Sequence, residues 1–99
     1  MRLFTFSNLT GAAGTLVATI GEGYSLMGGT NFDISLDSSD NFGGAVALRS
    51  DGLRLVVGAP GDDGSGNSGS NSGAVYLFSF SSSNFTSTNL LGTIGRGYN

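Results

Sequence analysis

Residues 41–64 read NFGGAVALRSDGLRLVVGAPGDDG, and the reading of this stretch decides the fold. Phe42-Gly43-Gly44 opens it, a short apolar run follows, and Ser50-Asp51-Gly52 separates that run from a second one ending at Gly58-Ala59-Pro60. Asp-Gly between two aliphatic runs marks a tight hairpin, because glycine takes φ > 0 without a Cβ penalty and aspartate tolerates it. Two antiparallel strands are expected, near residues 45–48 and 53–58.

Outward from the hairpin, the flanks repeat each other. Residues 3–25 read LFTFSNLTGAAGTLVATIGEGYS and residues 77–99 read LFSFSSSNFTSTNLLGTIGRGYN; at an offset of 74, without a gap, ten of 23 positions are identical. Self-similarity at a fixed period marks a repeat architecture and outranks local propensity. The chain therefore divides into residues 1–25, expected to be the last two strands of a preceding unit, and residues 26–99, one full unit made of a long loop and four strands.

Strands are expected over residues 2–6, 15–20, 74–80 and 89–94 as well, with polar turns at 7–14 and 81–88. Between them, residues 25–40 form a longer connection in which Phe32, Ile34 and Leu36 alternate with polar residues, as one short strand or an ordered loop. Residues 61–73 are a Gly/Ser/Asn/Asp loop with too little apolar surface to fold by itself. The fold class is all-β, a four-stranded antiparallel meander, which is the content of one propeller blade. In Val75-Tyr76-Leu77-Phe78-Ser79-Phe80, Val75 and Leu77 point to one face and Tyr76, Phe78 and Phe80 to the other, so both faces are apolar. A sheet of that kind is covered on both sides, and a repeat buries its faces only against adjacent repeats. One unit plus a third is thus expected to be completed by neighbouring repeats or chains.

Composition narrows the chemistry. The 99 residues include 18 Gly and one Pro but no Cys, Trp or His, and the four basic residues are single arginines at Arg2, Arg49, Arg54 and Arg96 against seven acids, for a net charge of −3. Without a basic patch, nucleic acid is not an expected partner. No apolar run is long enough to span a bilayer, and the N-terminal one is too short for a secretory signal. The absence of His, Cys and Lys removes the usual nucleophile–base pairs and thiolate or imidazole metal sites. Asp62 and Asp63 are sequence neighbours with no second carboxylate expected at a catalytic separation, so no enzyme is expected.

With Phe42-Gly43 at its start, Asp51-Gly52 at its turn, Gly58-Ala59-Pro60 at its exit and Val75-Tyr76-Leu77-Phe78 in the next strand, the block resembles the FG-GAP repeat, the blade unit of integrin-α-type β-propellers and of many repetitive secreted bacterial proteins. The resemblance implies an extracellular or cell-surface location and a role in adhesion or scaffolding. It also implies calcium in the first hairpin, through a loop like Asp-x-Asx-x-Asp-Gly-x-x-Asp. Here only Asp51-Gly52 remains of that loop, flanked by Arg49 and Arg54 in a turn too short to supply six to eight oxygens.

Other candidate sites are few. Asp62, Asp63, Asn67 and Asn71 offer oxygens for calcium, against the alternative of a solvated hairpin loop. Asn8-Leu9-Thr10 and Asn84-Phe85-Thr86 are acceptor sequences for N-linked glycan, which makes a glycoprotein one expectation. The aromatic residues Phe4, Phe6, Tyr24, Phe42, Tyr76, Phe78, Phe80 and Tyr98 are expected to pack where repeat meets repeat, since large rings dominate burial between elements. The leading functional expectation is a non-catalytic extracellular unit that self-associates or stacks in tandem into a propeller or fibre. The alternative is an adhesion module whose loops bind glycan, protein or calcium.

Overall fold

A computed structural model describes residues 1–6, 14–24 and 31–98. Seven strands run in chain order, and no helix occurs among the described residues: β1 (Arg2–Phe6), β2 (Gly14–Gly21), β3 (Phe32–Asp33), β4 (Ala45–Leu48), β5 (Arg54–Ala59), β6 (Ala74–Ser79) and β7 (Asn89–Gly95). They form two sheets, one of order β1-β2-β3 and one of order β4-β5-β6-β7. The second is the expected antiparallel meander, an all-β propeller-type blade.

The Asp51-Gly52 hairpin forms as its residues dictate. Gly52 sits at φ 73°, and Asp51 Oδ1 accepts the backbone N–H of Leu53 at 2.8 Å. The carboxylate also pairs with Arg49. Across the blade the register puts Val46, Val57, Tyr76 and Thr93 in one row and Leu48, Leu55, Phe78 and Leu90 in the next row of the same face. Ala45, Gly58, Val75 and Ile94 line the opposite face, with Ala47, Val56, Leu77 and Gly92.

The 74-residue repeat is visible in backbone geometry. The β6–β7 pairing shifts between Leu77 and Phe78, where Leu77 faces Gly92 and Phe78 faces Leu90. The β1–β2 pairing shifts between Leu3 and Phe4, where Leu3 faces Ala18 and Phe4 faces Leu16. Each of these partners lies 74 positions from its counterpart. A bulge adds one unpaired residue and bends the strand, and here Val17 and Leu91 occupy the extra position.

The long connection supplies β3, and it pairs with β2 in parallel, Ile20 opposite Phe32 and Gly21 opposite Asp33. Side chains from both sides hold it there. Asn31 Oδ1 accepts Thr19 N–H at 3.0 Å, Asp33 Oδ1 accepts Gly23 N–H at 2.8 Å, and Glu22 Oε2 accepts Leu36 N–H at 2.8 Å. This segment and the β1–β2 pair cover the aromatic face of the blade. Leu3, Ala18, Ile20 and Ile34 join Leu55, Val57, Tyr76 and Phe78 in one core. Phe32 meets Phe78 edge to face at 5.8 Å, and Phe42 meets Tyr76 at 5.4 Å. The cover stops short of β4, so Val46 and Leu48 stay exposed although they lie on the covered face.

Candidate functional site

Two features stand out on this scaffold: an uncovered apolar sheet face, and a buried carboxylate at the exit of the hairpin.

The uncovered face is the one opposite the aromatic rows. Val56 and Ile94 are exposed and Val75 and Leu77 half-buried, although each belongs to a regular strand. Near the strand ends, small residues leave a depression lined by Gly44, Ala45, Gly58, Gly73, Val75 and Ile94. Contiguous exposed apolar surface is the kind of patch through which proteins associate.

Asp62 follows the Gly-Ala-Pro segment and is 2% exposed. Its carboxylate accepts the hydroxyl of Tyr76 at 2.7 Å, the hydroxyl of Tyr98 at 3.0 Å and the backbone N–H of Gly64 at 2.7 Å. Three donors satisfy a group whose burial is otherwise costly. Burial raises the ionisation of Tyr76 well above the usual phenol range, helped by its contacts with Tyr98 and Asp62. Tyr98 is raised as well, first by burial. Both hydroxyls therefore act as donors and stay neutral at ordinary pH. The cluster ties the loop after β5 to β6 and to the turn after β7.

The calcium candidates are placed apart in their bonding. Asp62 is saturated as described. Asp63 Oδ1 accepts Asn71 N–H at 2.6 Å, while its backbone carbonyl accepts Gly69 N–H at 2.7 Å. Asn67 donates its side-chain amide to Asp37. The 61–73 loop joins β5 to β6 with residues 65–68 and 70–72 exposed, and it is closed by these bonds and by Gly73 N–H donating to the Asp62 carbonyl at 2.8 Å. Among the described residues no group of three or more His, Cys, Asp or Glu is arranged to hold a metal ion. Beside the loop lies an open cleft of about 390 Å³ lined by Ile34, Asp37, Asp40, Asn67, Tyr76 and Tyr98.

Of the aromatic residues named from sequence, Phe42, Tyr76, Phe78, Phe80 and Tyr98 lie in or against the core, where they pack on one another and on Phe32 and Phe85. Phe4, Phe6 and Tyr24 are exposed. Sequence reasoning named Phe32 only for its alternation in the long connection, not as a packing residue, and did not foresee the burial of Asp62. The signal for Phe32 was its alternation with Ile34; none marked Asp62. Asn8 lies outside the described residues. Asn84 is exposed in the turn after β6, with the Thr86 hydroxyl bonded to Ser81 and Ser82 at 2.8 Å and the ring of Phe85 buried against Phe80.

The segment carrying the hairpin, its Gly-Ala-Pro exit, the acidic loop and β6 is also the segment that the FG-GAP repeat family model matches, over residues 36–78. The chain carries an FG-GAP repeat. Its matched span ends at Phe78, so the FG-GAP unit holds β4, β5 and nearly all of β6, and the meander adds β7. No curated protein and no solved structure matches the chain. Among the described residues no helix is long and apolar enough to cross a membrane.

Proposed function

We propose that this chain is a structural, non-catalytic repeat unit of an extracellular or cell-surface scaffold. In this reading β1 and β2 are the end of one unit and β4 to β7 a complete blade. The units stack face to face, in tandem or by self-association, into a propeller or fibre that serves adhesion. The observation that carries it is the uncovered face of a regular four-stranded sheet, with Ile94 at 65% exposure. A blade with one face in water forfeits the burial that stabilises repeat arrays. The FG-GAP match supports a propeller-type module, and the Ser-, Thr- and Asn-rich surface with exposed Asn84 suits a secreted, glycosylated environment. Measuring the native mass and shape of the 99-residue chain by light scattering and small-angle X-ray scattering tests it. Concentration-dependent growth supports stacking, whereas a 10.0 kDa particle at every concentration refutes self-association.

A second reading is favoured by the cleft lined by Asp37, Asp40, Asn67 and Tyr98. Acidic and amide oxygens around an aromatic ring suit a glycan or a weakly held calcium ion. A chelator that lowers the melting temperature, reversed by added calcium, would favour this adhesion-module reading.

A further inference from the structure

The 74-residue offset relates one bare surface of the molecule to another through a contact already made inside the chain. On β1 and β2 the inward residues Leu3, Ala18 and Ile20 are buried against the aromatic face of the blade. The offset carries them onto Leu77, Gly92 and Ile94, which line the uncovered face of the blade. In the other direction it carries the covered residues Phe78, Phe80 and Leu90 onto Phe4, Phe6 and Leu16. Those three are exposed at 44%, 56% and 49%. The two halves of one sheet-on-sheet contact are therefore each present a second time, and each second instance is bare.

We infer that a second copy of this chain covers the bare face, head to tail: Phe4, Phe6 and Leu16 of one copy pack on Val56, Leu77 and Ile94 of the next. This rests on the stacking reading above and specifies its surfaces and its polarity. The matching bulges at Leu3/Phe4 and Leu77/Phe78 give both pairs of strands the same bend, so the second contact has the shape of the first. Because the two surfaces differ, the contact is heterologous and propagates from copy to copy until the rotation closes a ring. A sheet of four strands, each about six residues long, projects roughly 400 Å² at strand spacings near 4.8 Å. That is small against standard interfaces of about 800 Å² per partner, so association is expected in the micromolar range and to grow with concentration.

Two variants separate the surfaces. Leu16→Glu blocks the head and leaves the tail; Ile94→Glu blocks the tail and leaves the head. Both residues are exposed in the single chain, so the fold is expected to survive, and circular dichroism melts check it; Leu16→Ser and Ile94→Ser replace any variant that melts early. Sedimentation across 10 to 500 μM, roughly spanning the expected dissociation constant, is the readout. The wild-type chain is expected to form growing oligomers, and each variant alone to associate at least about tenfold more weakly. Their equimolar mixture is expected to form a 1:1 pair of twice the 10.0 kDa chain mass. If Leu16→Glu self-associates like wild type while Ile94→Glu does not, the bare faces meet tail to tail; head-to-tail order is overturned while self-association stands. If both variants associate like wild type, the contact lies elsewhere and the assignment is overturned. A wild-type chain that stays monomeric throughout overturns both this assignment and self-association.

Discussion

The Tyr98 hydroxyl donates to Asp62 at 3.0 Å across 36 residues of chain. This one bond joins the turn that closes β7 to the loop that leaves β5, and Tyr76, between them in the sheet, donates to the same carboxylate. The blade's outer strand is thus latched to its middle by a buried acceptor.

Removing that acceptor should be costly. Asp62→Ala leaves two hydroxyls and the Gly64 N–H without their partner and should destabilise the chain by roughly 2–4 kcal/mol. Asp62→Asn keeps one oxygen and should cost about 1 kcal/mol. Urea titrations that rank the two variants the other way would show that the latch is not what stabilises the loop.

The same cluster sets an alkaline limit. Tyr76 and Tyr98 ionise above the reference value of 10.0 when folded. Below pH ~10 they are neutral in both the folded and the unfolded chain and contribute no pH dependence. Above that value the unfolded chain loses protons that the folded chain retains, so stability falls as pH rises. Melting temperatures from pH 8 to 12 should decline from about pH 10, and the Tyr76→Phe variant should show a flatter decline, having lost the group that burial shifts most.

Position in the repeat should decide the cost of truncation. Ile20 is buried completely and Ile94, its counterpart, is mostly exposed. Ile20→Ala should destabilise by about 2–5 kcal/mol, as buried Ile→Ala changes do. In dilute solution Ile94→Ala should move stability by only a few tenths of a kcal/mol, within the usual range for surface changes. Comparable losses at both sites under dilute conditions would mean that Ile94 is already covered.

Two glycines should respond with opposite sign. A Cβ on Gly61 would collide with the Ser39 carbonyl oxygen, which belongs to the backbone and not to a flexible side chain. Gly61→Ala should therefore cost at least 1–3 kcal/mol, the range of overpacking strain. Gly92 meets nothing within 4 Å and sits on the bare face, and its counterpart in β2 is Ala18. Gly92→Ala should be neutral or stabilise by up to about 1 kcal/mol through the unfolded chain's lost freedom. Thermal melts of the two variants read the difference directly.

Much of this architecture was legible from local residues. Asp51-Gly52 specified the hairpin, the alternation in Val75-Tyr76-Leu77-Phe78 specified which residues share a face, and the repeated flanks specified that β1–β2 and β6–β7 are alike. Those signals act over a few residues or through direct self-comparison, so no tertiary contact is needed to see them. The parallel pairing of β3 was not legible, because it depends on Asn31, Asp33 and Glu22 making hydrogen bonds between β2 and the following segment, which alternation alone does not encode. Nor was the buried role of Asp62, since an aspartate in a Gly/Ser/Asn stretch looks the same whether it faces water or two tyrosines.

The sequence by itself determined a β-meander with apolar residues on both faces and a pair of flanking strands that recurs 74 residues on, because strand period, turn chemistry and self-similarity are readable along the chain itself. Only the tertiary structure decided which face is covered and which stays bare, and that Asp62 is the latch. Those outcomes rest on side chains from β2, β3 and the β7 turn arriving at one place, and their arrival depends on how the two sheets pack.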